Sequence, residues 1–155
     1  RLRPVLLQVT TFTVAHSMTL SLAVLGIVRV ASHIVEPLIA ASIIAAAFNN
    51  LRPWFGERGR MVAFAFGLVH GFGLASGLLE FGLTRETLVL ALVGFNVGVE
   101  LGQLAIVAVF LPLAFLLGAS WFYRIVAFKF GSTAVVLVAG VWMAERLFDF
   151  KVLPF

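Results

Sequence analysis

Apolar residues run along this chain in long blocks, separated by single charges or short polar connections. Residues 4–28 carry no charge, and crossing a bilayer core as a helix takes about 20 residues. Residues 30–51 form a second block containing His33 and Glu36, with Pro37 in its first turns, where proline is tolerated. Residues 61–79 form a third, with His70 its only ionisable group. Residues 87–123 contain a single charge, Glu100. That block is too long for one untilted helix and too short for two with a connection. We read it as one helix over about 88–117, kinked at Pro112, followed by an interfacial Trp121-Phe122-Tyr123 segment. A fifth helix is expected over about 130–147. No alternation of period two persists, which excludes a membrane barrel. The pattern predicts an all-α integral membrane protein, with about five transmembrane helices near 4–28, 30–51, 61–79, 88–117 and 130–147. They are expected to form a compact bundle with short loops, residues 1–155 making a single domain.

Composition adds the solvent. Of the 155 residues, 62% are hydrophobic and 12% are charged, against about 25% charged in ordinary soluble domains. So little charge cannot cover a soluble surface, which excludes a soluble enzyme and a disordered tail. With no cysteine, a disulfide scaffold is excluded as well. The net charge of +4 invites a nucleic-acid reading, but the basic residues are dispersed between apolar runs and form no patch. In a membrane protein their distribution reports orientation. Arg1, Arg3, Arg52, Arg58, Arg60, Arg124 and Lys129 fall on one side, and Arg29, Arg85, Arg146 and Lys151 on the other. This bias predicts a bacterial-type inner-membrane protein with Arg1 in the cytoplasm and Phe155 outside. The chain begins at Arg1 rather than Met, as expected of a processed protein or a fragment. A signal peptide is not expected there, because the apolar run exceeds the 7–15 residues of a signal core and no small-residue cleavage site closes it. Arg52-Pro53-Trp54-Phe55-Gly56 reads as an interfacial turn with an aromatic anchor.

Polar residues inside the apolar blocks carry the candidate chemistry, since an ionisable group in a bilayer costs about 2.5–3.5 kcal/mol even on a lenient scale. Thr10, Thr13, His16 and Ser17 share one face of the first helix, and Asn96, Glu100 and Gln103 one face of the fourth. Gly94, Gly98 and Gly102 lie roughly opposite and would admit a closely packed neighbour. Gly67, Gly71, Gly73 and Gly77 surround His70 in sequence. Gly71-Phe72-Gly73 is not a dinucleotide fingerprint, because residue 76 is Ser and no strand precedes it. His33 and Glu36 are three apart near the expected outer end of the second helix. Neutral imidazole and carboxylate oxygen together suit borderline divalent cations such as Ni²⁺, Zn²⁺, Co²⁺ or Cu²⁺. Each group also has a structural reading: His16, His70 and Glu100 as partners in helix–helix hydrogen bonds, His33 and Glu36 as solvated groups, Asn49 and Asn50 as satisfying the end of the second helix.

Three segments carry a family resemblance. Thr11-Phe12-Thr13-Val14-Ala15-His16-Ser17-Met18-Thr19-Leu20, Phe66-Gly67-Leu68-Val69-His70-Gly71-Phe72-Gly73 and Gly94-Phe95-Asn96-Val97-Gly98-Val99-Glu100-Leu101-Gly102-Gln103 resemble, in order, the HupE/UreJ family of hydrogenase and urease accessory membrane proteins. The resemblance spans nearly the whole chain. It implies nickel uptake or delivery, with metal-binding positions carried over to His16, His70, Asn96, Glu100, Glu36 and Asn49. Members of this type usually have a further upstream helix bearing a His and an Asp-His pair, which the 155 residues do not include.

These readings converge on a permease or accessory protein for a divalent transition-metal cation, nickel foremost, and not an enzyme. His16, His70 and Glu100 would form a mid-membrane site, Asn96 and Gln103 would add oxygen ligands, and Glu36 and His33 would collect the ion outside. No resident cofactor is expected. The expected partners are the lipid bilayer, the metal ion and other membrane subunits or further copies, with no nucleic acid. The rival reading is a non-transporting membrane subunit or scaffold that packs against partner helices, and a proton relay through Glu100 and His70 ranks below both.

Overall fold

The computed structural model describes residues 2–80, 82, 84–150 and 152. Arg1, Lys151 and Phe155, which enter the orientation argument, lie outside the described residues, as do the side chains of Glu80 and Arg85. Five α-helices are present among the described residues: α1 Leu2–Val24, α2 Ser32–Leu51, α3 Gly59–Glu80, α4 Arg85–Leu117 and α5 Gly131–Phe148. A single 3₁₀ turn, Gly56–Arg58, leads into α3, and a π-helical segment, Tyr123–Phe130, leads into α5. The described residues include no strand. All five helical segments are long and apolar enough to cross a membrane. This is an all-α, multi-pass membrane protein.

Two boundaries differ from the reading of the apolar blocks. The first helix stops at Val24 rather than near residue 28, because Gly26 adopts a left-handed φ of 74°. The Ile27 N–H donates to the Leu22 carbonyl at 2.9 Å and the Gly26 N–H to the Ala23 carbonyl at 3.0 Å. This reciprocal pair is the Schellman closure, which a glycine just past the last turn permits at little steric cost. The second difference lies at 124–129, between the interfacial 121–123 segment and the fifth helix expected from about residue 130. No Gly or Pro interrupts residues 121–130, so charge alone does not break the backbone ladder. The turn widens instead, and the Gly131 N–H reaches back to the Val126 and Phe128 carbonyls.

The chain forms two compact units. The first comprises Arg1–Val35 and Glu57–Leu104, hence α1, α3 and the N-terminal part of α4. Here α1 and α3 meet backbone to backbone. A Cβ at Gly67 would overlap the Phe12 carbonyl oxygen and come within 2.9 Å of the Ala15 Cβ. A Cβ at Gly71 would overlap Thr19 Oγ1 and the His16 carbonyl oxygen. One turn further, Ala75 packs with Leu20, Ala23, Val24 and Leu92 in a small apolar core. Gly67, Gly71 and Ala75 thus form a small-residue seam at four-residue spacing. In lipid, where apolar burial drives little association, such close approach is a main source of helix pairing. The pairing of Gly67 with Phe12 and of Gly71 with His16 and Thr19 runs α3 parallel to α1.

The second unit comprises Glu36–Gly56 and Ala105–Phe155. Glu36 near the start of α2 bonds Arg146 near the end of α5 at 2.9 Å. Asn50 at the other end of α2 donates to Ser132 at the start of α5, at 3.5 Å. These pairs run α2 and α5 antiparallel. The Asn49 side-chain oxygen accepts the backbone N–H groups of Trp54 and Phe55, at 2.9 and 3.0 Å. It thereby fixes the turn that carries the Phe48, Trp54 and Phe55 ring cluster.

Candidate metal centre

His16 is the centre of the first unit. Placed on the α3-facing side of α1, it is 1% exposed, and neither ring nitrogen has a hydrogen-bond partner among the described residues. Two phenyl groups neighbour its ring. Phe12, one turn earlier on α1, stacks nearly parallel to it, with centroids 6.0 Å apart and planes 7° apart. Phe95 on α4 lies at 6.5 Å and 29°. His70 on α3, half-buried, meets the same Phe12 ring at 5.4 Å and 68°. Two imidazoles from parallel helices therefore share one phenyl wall.

Two hydrogen bonds to α4 bracket His16 along α1. Thr13 Oγ1, which lies 3.0 Å from the Val9 carbonyl oxygen, lies 2.9 Å from Gln103 Oε1, and Ser17 Oγ donates to Asn96 Oδ1 at 2.7 Å. The Asn96 amide N–H in turn donates to the Leu92 carbonyl at 2.9 Å. Residue numbers rise on α1 as they fall on α4, so these helices are antiparallel. The arrangement presents imidazole nitrogens flanked by hydroxyl and amide oxygens. That is the donor chemistry of a borderline divalent cation site without thiolate.

A family model described as HupE / UreJ protein matches residues 1–146. The chain belongs to the HupE / UreJ family. No curated protein and no solved structure gives a significant match. Membership in HupE / UreJ implies a nickel or cobalt transport or accessory role in general terms, within a permease and accessory family rather than an enzyme family.

The other expected ligands of this HupE / UreJ chain are placed unevenly. Glu100 is exposed on α4, one turn from Asn96 and on the same face. His33 is exposed at the start of α2. Glu36 is engaged by Arg146. Thr10, read as part of the polar face of α1, is exposed, whereas Thr13 and His16 are buried. Among the described residues, no group of three or more His, Cys, Asp or Glu side chains converges. Sequence reasoning missed Phe12 and Phe95. Their only signals were their positions, four residues before His16 and immediately before Asn96.

Proposed function

We propose that this protein binds a divalent transition-metal cation, nickel foremost, within its first unit and passes it across the inner membrane. His16 and His70 are the principal ligands, Asn96 and Gln103 supply oxygens, and Glu100 lies at the rim, while His33 serves the outer end. The observation that carries this reading is the buried His16, whose two nitrogens have no hydrogen-bond partner among the described residues. A buried polar group left unsatisfied costs about 1–3 kcal/mol, and the large majority of buried polar side-chain atoms are hydrogen-bonded. A ligand nitrogen must be free of such bonds and unprotonated to receive a cation, so binding is coupled to deprotonation. The sparse donor set also fits passage rather than storage. Closed structural sites use about four protein ligands, whereas a permeation site must hold its ion weakly enough to release it.

Radiolabelled Ni²⁺ uptake in cells or proteoliposomes tests this. His16→Ala and His70→Ala should each cut the initial uptake rate by about ten-fold or more, a loss of about 1.4 kcal/mol. Unchanged uptake in both variants would contradict it. A non-transporting subunit is the second reading, favoured by the open face of α4, where Gly94, Gly98 and Gly102 have nothing within 4 Å of a Cβ. A stoichiometric membrane partner that co-purifies without metal would decide for that reading.

A further inference from the structure

We infer that Phe12 is the gate of the His16–His70 pair: its ring closes both imidazoles, and swinging it aside is what opens them to a cation. This rests on the functional reading above, but its geometry stands separately. The Phe12 ring stacks on His16 and meets His70 edge-on, so one side chain contacts both proposed ligands. Phe95, which also neighbours His16, packs against the apolar core formed by Leu20, Ala23, Val24, Ala75 and Leu92. Phe95 is therefore held from behind, and Phe12 lies outside that cluster. The Phe12 backbone cannot be the moving part, because its carbonyl abuts Gly67 so closely that a Cβ there would overlap it. Side-chain rotation moves the ring while the helix stays fixed, and aromatic rotations of this kind need no change in backbone hydrogen bonding. A ring against both imidazoles and a locked helix beneath it make a door on a fixed hinge.

The gate controls how often His16 is reachable, so its test is chemical access rather than transport. Diethyl pyrocarbonate, a small neutral electrophile, carbethoxylates unprotonated imidazole, and mass spectrometry of the detergent-purified protein resolves each histidine. His33 is exposed and serves as the internal reference. Relative to His33, labelling of His16 should rise about ten-fold in Phe12→Ala, following the larger open fraction. It should rise less in Phe12→Leu, which keeps an apolar side chain over the site and guards against a folding defect in the first variant. Phe95→Leu should leave it within about two-fold, because the held wall is not the one that opens. Equal His16 labelling in wild type and both Phe12 variants, or a larger rise from Phe95→Leu, would overturn the gate. Protection of His16 by added Ni²⁺ is read in the same spectra and bears only on the metal reading. The gate can therefore fail while the site survives, and the reverse.

Discussion

At the residue scale, the protein buries an imidazole that has no hydrogen-bond partner among the described residues, while the hydroxyls on either side of it are hydrogen-bonded. Thr13 and Ser17 give their hydroxyls to Gln103 and Asn96, so the α1–α4 contact does not depend on His16. Interhelical hydrogen bonds in membranes average about 0.6 kcal/mol, with model peptides giving about 1–2. Ser17→Ala should accordingly lower stability in detergent by about 0.5–1 kcal/mol, whereas Thr10→Ala, at an exposed position, should fall within about 0.5 kcal/mol of wild type. Reversible unfolding in mixed micelles measures both, and an equal loss in the two variants would contradict the assignment. The polar faces carrying these residues were legible from helical spacing alone. Phe12 and Phe95 were not, because in a lipid-solvated helix a phenylalanine facing a site and one facing acyl chains present the same letter in the same apolar run.

At the element scale, the glycine patterns show what spacing can and cannot tell. Gly67 and Gly71 on α3 and Gly94, Gly98 and Gly102 on α4 read alike as small residues four apart. Only the first pair meets another backbone, and the second set faces open space. Gly71→Leu should therefore destabilise the protein by about 3 kcal/mol or more, or prevent its accumulation, since a side chain there must displace α1. Gly98→Leu should leave the monomer within about 1 kcal/mol of wild type. Thermal unfolding in detergent distinguishes the two, and comparable midpoints would contradict the seam. Gly26→Ala, which forces a side chain into the left-handed region, should cost about 1–2 kcal/mol and loosen the end of α1. Helix ends were the least legible feature. A hydropathy run does not register the φ of one glycine, and two cationic residues at 124 and 129 look like a connection although the backbone continues through them as a widened helix.

At the scale of the whole molecule, the pairings agree with five alternating spans. Within the first unit α1 runs parallel to α3 and antiparallel to α4, and within the second α2 runs antiparallel to α5. Those are the relative directions required if each successive helix crosses back. The number of spans was legible because charge is so scarce, and the directions follow from it. Which side is which rests on the cationic bias alone, and that bias predicts a cytoplasmic turn at residues 52–60. Alkaline phosphatase fused after Gly56 should be inactive, and fused after Gly82 active, because the enzyme matures only outside the cytoplasm. The reverse pattern would invert the topology.

In the proposed site His16 and His70 hold the cation together. X-ray absorption at the nickel edge, on purified protein loaded with one equivalent of Ni²⁺, reads it directly through the multiple-scattering signature of imidazole. Two imidazole ligands among oxygen donors are expected, falling to one in His70→Ala with the metal still present. A nickel environment of oxygen alone, or one unchanged when both histidines are replaced, would contradict it.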